Sequence, residues 1–210
     1  MDQGRSVALE IQNTDYCALS LLSYATENKE EELQIREAYL AAAKRYFPGS
    51  LPEAKCEVAS ALGSNERHDE ALQLYREAYA AYVEMLGEDH FDTIYCANSL
   101  ASAMTRVRPK LLTEAMDFLR DVVPVAEDAL GPDHEYTLML KNDLAVTLAC
   151  TTPLRYEVTR ADAEEAVAIL QNVIQGFRRL NGHWLHANSY AERAEFYLGM
   201  AQRLLGEAWR

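Results

Sequence analysis

An octapeptide pattern occurs twice in this chain, as Leu86-Gly87-Glu88-Asp89-His90-Phe91-Asp92-Thr93 and as Leu130-Gly131-Pro132-Asp133-His134-Glu135-Tyr136-Thr137, 44 residues apart. A fixed period of that length belongs to stacked helical repeats rather than to a single catalytic core. The match extends in both directions. Glu70-Ala71-Leu72 and Glu114-Ala115-Met116 each begin 17 residues before the glycine, and Asn98-Ser99-Leu100-Ala101 aligns with Asn142-Asp143-Leu144-Ala145. A third, weaker copy begins at Glu165-Ala166-Val167, and its Gly182 again falls 17 residues on. Leu33 to Tyr39 and Gly49 fit a degenerate copy near the N-terminus.

Within each copy the apolar spacing is helical. Ala71, Leu74, Tyr75 and Ala78 stand at i, i+3, i+4 and i+7, as do Ala115, Phe118, Leu119 and Val122, and Ala166, Ile169, Leu170 and Val173. Such a stripe buries one helix face. Glycine after the stripe suits a left-handed C-cap, and Asp89, Asp133 or the adjacent histidines are N-cap candidates for the next helix. Each unit is therefore helix, turn, helix, and its open face needs a neighbour. The spacing predicts nine helices, at about 5–26, 29–47, 52–63, 67–86, 91–107, 111–130, 135–150, 161–181 and 185–207. Pro48, Gly49, Pro52, Pro109 and Pro153 fall at junctions. Pro124 falls inside a helix, where it removes a backbone donor and is expected to kink or split it. Relative to the second copy, an insertion of roughly nine residues occupies about 151–160.

The Leu-Gly-x-Asp-His turn, the Asn-x-Leu-Ala segment and the Glu-Ala-x-x-x-Tyr segment resemble the tetratricopeptide (TPR) family in the form found in kinesin light chains. The resemblance covers 55–150 best, then 160–183, then the first 50 residues. It implies an all-α fold: a TPR-like right-handed solenoid of antiparallel helix pairs with a C-terminal capping helix. The expected organisation is one domain over 1–210, with a degenerate helix pair at 1–50, three repeats at 51–183 and a cap at 184–210.

Charge narrows the partners. The chain holds 33 acidic and 20 basic residues, for a net charge of −13. Residues 51–154 carry 18 of the acids against 8 bases, so the best-formed repeats hold most of the excess. Nucleic acid binding needs a basic stripe and is not expected. A protein or peptide with basic residues is the expected partner, against a plain solvated acidic face. No apolar run reaches the 18 or more residues of a membrane span. The first residues show no basic region leading into an apolar block, so no secretory signal is expected. Cys17, Cys56, Cys96 and Cys150 lie far apart in apolar helical stretches, as buried thiols of a reducing compartment do. A cytoplasmic location follows as an expectation.

Catalytic and metal readings are weak. His90 and His134 recur at one repeat position, which fits a turn-forming role better than catalysis. His183 and His186 supply two ligands where a structural zinc site takes four. No nucleophile elbow or phosphate-cradling glycine loop is present. No enzyme activity, metal or cofactor is expected. The resemblance implies instead that the first helix of each pair lines a groove. There Asn98 and Asn142 sit at the family's first asparagine position, while its second asparagine is Ser99 in one copy and Asp143 in the other. An amide both donates and accepts, so it suits a peptide backbone. The candidate groove residues are Tyr95, Asn98, Ser102, Thr105, Met139, Asn142 and Val146, with the asparagines alternatively bonding neighbouring helices. Two rival readings stand beside a peptide-binding adaptor: an accessory module of a larger enzyme such as a SET-MYND-type methyltransferase, and a TPR-type ligand sensor with a closed pocket between the final helix and the insertion at 151–160.

Overall fold

Each Leu-Gly-x-Asp-His segment ends one helix and caps the next. In the computed structural model, which describes residues 28–106, 111–149, 159–180 and 186–207, Gly87 and Gly131 have φ of 92° and 98°. Side chains rarely adopt such values. At Gly131 the ψ of 155° lies outside the left-handed helical well, in a region that only glycine enters freely. The histidine, rather than the aspartate, then supplies the cap. His90 Nδ1 accepts from the Asp92 amide at 3.2 Å, and His134 Nδ1 accepts from the Tyr136 amide at 3.3 Å. Both amides are among the orphan donors of a helix start.

The chain divides into two units, Met1–Met85 and Leu86–Arg210. The first contains α1 (Lys29–Tyr46), a 3₁₀ turn (Pro48–Ser50), α2 (Leu51–Ser64) and most of α3 (His68–Leu86). Asn28 caps α1, whose first turn is acidic (Glu30, Glu31, Glu32) and whose last is basic (Lys44, Arg45), matching the helix dipole. Leu33, Val58, Ala59, Ala61, Leu62 and Ala71 form one core cluster, with Leu40, Leu74 and Tyr75 packed on it. Arg36 is buried beside that core. It pairs with Glu32 at 2.8 Å and with Glu57, so its charge is matched where it is taken out of water. Gly49 lies within the 3₁₀ turn.

The second unit contains α4 (Phe91–Arg106), α5 (Leu112–Leu130), α6 (Glu135–Ala149), α7 (Arg160–Arg179) and α8 (Ala187–Glu207). Each helix packs on the next, and α4, α6 and α8 also pack on one another in order. They form an inner layer, with α5 and α7 outside it. Helix α6 sits at the middle of this unit and is buried nearly all round, from Thr137 to Ala149. Thr137 Oγ1 donates to the Ala126 carbonyl at 3.2 Å and ties α6 to α5. Where α7 crosses α6, Gly176 faces Leu138 so closely that an added Cβ would lie 2.5 Å from a Leu138 methyl. Cys56 and Cys96 are buried and not disulfide-bonded.

The described helices begin and end within two residues of the limits the sequence predicts. Of the two outcomes expected at Pro124, the split does not occur: α5 runs through it. Pro124 and Arg120, whose carbonyl loses its partner four residues on, are both exposed. Water can therefore satisfy that carbonyl. The predicted helix at 5–26, Pro109, Pro153, the insertion apart from Thr159 and Arg160, Gly182, His183, Cys17 and Cys150 lie outside the described residues.

Candidate functional site

The inner layer of the second unit exposes a strip of side chains drawn from three helices. Along α4, Phe91 and Tyr95 are 45% and 41% exposed, Ser99, Ser102 and Thr105 are half-buried, and Arg106 is exposed. Along α6, Tyr136, Met139 and Asp143 are half-buried. Along α8, Tyr190 is half-buried and Arg193 is exposed. Aromatic contacts join the first two helices: Tyr136 meets Tyr95 edge-on at 5.3 Å between centroids and Phe91 at 5.6 Å. Arg193 lies over the Tyr190 ring at 4.8 Å, and that ring also packs against the core residue Phe177.

Asp143 is the electrostatic centre of the strip. Burial raises its carboxyl to about 6, against the pull of Arg193, the Asn142 amide and Arg106 in the opposite direction. Burial also raises the phenols of Tyr136 and Tyr190. The electrostatic influence of Tyr190 on Tyr136, and of both arginines on Asp143, shows that α4, α6 and α8 contribute to one locality.

The candidate residues fall at two depths. Tyr95, Ser102, Thr105 and Met139 reach the surface of the strip. Asn98, Asn142 and Val146 lie beneath it, at 7%, 1% and 8% exposure. Asn142 Nδ2 donates to Asp143 Oδ1 at 3.3 Å, while the Oδ1 atoms of Asn98 and Asn142 are buried with no hydrogen-bond partner. An unfilled buried acceptor costs roughly 1–3 kcal/mol. Lys141 turns away from the strip, pairing with Glu127 and donating to the Pro132 carbonyl at 3.3 Å. The sequence reading missed Phe91, Tyr136, Asp143, Tyr190 and Arg193 as members of this surface. For Asp143 the signal was present: it fills the second asparagine position of the motif.

The acidic excess is not on the strip. The charged residues of α4 are Asp92 and Arg106, and those of α6 are Glu135, Lys141 and Asp143. On the outside, α5 carries Glu114, Asp117, Asp121, Glu127 and Asp128 against Arg120 alone. Arg120 bonds Glu165 of α7 at 2.8 Å.

Antiparallel helix pairs stacked in this way define an all-α, TPR-like solenoid. Residues 54–92 and 110–136 match the tetratricopeptide repeat family. Among solved structures, its fold is shared with the nearly identical TPR-like repeats of a putative kinesin light chain from Podosopora anserina. That match has a TM-score of 0.61 at 18% identity and covers 100% of both chains. A single-substitution variant of those repeats gives the same score and identity over 90% of this chain and 94% of that one. BtubC (BKLC) from P. vanneervenii matches with a TM-score of 0.58 at 18% identity, over 89% of this chain and 78% of that one. Among curated proteins none matches the sequence. Tetratricopeptide repeats present surfaces to other proteins, which supports a protein-interaction role in general. Among the described residues no helix is long and apolar enough to cross a membrane.

Proposed function

We propose that this chain is an adaptor that acts by binding rather than catalysis, holding an extended peptide segment of a protein partner along the inner layer of its second unit. The observation that carries this is the strip itself, where aromatic, hydroxyl and charged side chains from α4, α6 and α8 meet in one partly solvated locality. Packing alone leaves Phe91 and Tyr95 partly in water, and exposed contiguous aromatics mark interaction surfaces. Tyr95 and Met139 offer adaptable apolar contact, while Ser102 and Thr105 offer hydroxyls to a peptide backbone. Asn98 and Asn142 back this surface from below. Their unfilled carbonyl oxygens are closed to solvent, so a peptide amide or a bridging water bonds them only after the side chains above them shift. A net charge of −13 favours a partner segment with basic residues and speeds its encounter. The cytoplasm is the compartment we assign, on the buried reduced thiols Cys56 and Cys96.

The test is selection of binders from a library of extended basic peptides, followed by titration of Tyr95→Ala/Met139→Ala and Asn98→Ala/Asn142→Ala proteins. The first pair lies on the surface and is expected to weaken binding at least tenfold with little change in thermal stability. Unchanged binding by both double variants, with the fold intact, removes the inner strip as the site.

A further inference from the structure

Phe91, Tyr95 and Tyr136 meet at the N-terminal ends of α4 and α6. The Tyr136 centroid stands 5.6 Å from that of Phe91 and 5.3 Å from that of Tyr95, at interplanar angles of 71° and 81°, and His134 approaches Phe91 edge-on at 6.2 Å. These rings are in contact, so no cation fits between them as it does in an enclosing cage. Yet Phe91 and Tyr95 keep 45% and 41% of their surface open, and a flat cation can lie on the outside of the cluster.

The surrounding charge is mainly acidic, and the two bases at this turn, Arg179 and Lys141, are paired with Asp133 and Glu127. From Leu86 to Thr105, and again from Asp121 to Leu140, the chain has no lysine or arginine. Glu88, Asp89 and Asp92 stand within three residues of Phe91, and Glu135 precedes Tyr136. Asp133 is already held by Arg179 at 2.5 Å and is not counted with them. Two helix N-termini contribute roughly half a positive charge each, which four carboxylates outweigh.

We propose that this aromatic patch is the seat for an arginine side chain of the bound peptide, a reading that rests on the inner-layer site proposed above. The guanidinium stacks on exposed ring surface of Phe91 or Tyr95, and its edge N–H groups reach the neighbouring carboxylates. A planar guanidinium has the shape for this; the compact, strongly hydrated ammonium of lysine does not.

The test uses protein carrying ¹⁵N backbone and ¹³C aromatic labels, titrated with Ac-Ala-Arg-Ala-Arg-Ala-NH₂ and with the same peptide bearing citrulline or lysine in place of arginine. Citrulline keeps the shape and loses the charge. The arginine peptide is expected to shift the Tyr95 and Tyr136 ring signals and to bind about fivefold tighter than the citrulline peptide and about twofold tighter than the lysine one. Tyr95→Phe should keep that preference, and the Phe91→Leu/Tyr95→Leu double variant should abolish it. Equal affinity for arginine and citrulline, equal affinity for arginine and lysine, or a preference that survives the double leucine variant each overturns the proposal. Peptides that shift Ser102 and Met139 without preferring arginine remove the arginine seat but leave the inner-layer reading standing. Failure of every library peptide to shift those signals removes both.

Discussion

At the scale of single residues, the histidines show how a repeated motif separates structure from function. His90 and His134 each accept a backbone amide through Nδ1, and the ring acts as a cap. Replacing either by alanine should cost about 1 kcal/mol in a denaturant unfolding experiment, while asparagine, itself a strong cap, should cost little. The motif revealed that the position mattered; the choice between Asp and His needed coordinates. Asp143 gives a second, opposite case. Its carboxyl sits at about 6, above the 3.8 of an unfolded aspartate. The folded state therefore binds the extra proton between those values, and stability falls as pH rises from about 4 through 6. Part of the residue remains open to water, so the loss is on the order of 2 kcal/mol rather than the full shift. Asp143→Asn should flatten that slope and raise the melting temperature at pH 8 while leaving it nearly unchanged at pH 4. Equal melting temperatures of variant and parent at pH 8 would show that burial of the charge is not costly.

At the scale of elements, helix limits were legible because three independent signals agree: apolar stripes, positive-φ glycines and the capped turn. Depth was not legible. Asn98 and Asn142 share the inner face of α4 and α6 with Tyr95 and Met139, yet they lie beneath the surface. Periodicity gives the direction of a side chain from its own helix but not how closely the neighbouring helices stand. Helix α6 is wrapped by α4, α5, α7 and α8, and this is why so little of it shows. Tyr190 and Arg193 escaped for another reason: the motif decays after Gly182, so α8 reads as a cap, although it also supplies part of the strip. Two substitutions test the packing. Gly176→Ala improves helix propensity but drives a methyl into Leu138, which is fully buried. It should destabilise the protein by about 1–2 kcal/mol. Pro124→Ala, at an exposed position of α5, should do the reverse, restoring a helical hydrogen bond and adding about 1–3 kcal/mol, with no effect on peptide binding. A destabilised Pro124→Ala protein would mean that the proline is required for α5 to pack.

At the scale of the whole molecule, composition revealed the sign of the charge but not its placement. The excess lies on α3, α5 and the turns, while the inner strip carries Arg106 and Arg193 beside Asp143. Long-range attraction of a basic partner and short-range recognition are thus separated, the first set by net charge and the second by aromatic and hydroxyl contacts. Raising the salt from about 50 to about 300 mM should therefore slow association of a basic peptide severalfold and change its dissociation rate much less. The measurement that bears most directly on the central claim is hydrogen–deuterium exchange of the chain with and without a library-selected peptide. The account predicts new protection in 91–106 and 135–149, with α5 and the first unit unchanged. Protection confined to the acidic outer helices α5 and α7 would contradict it.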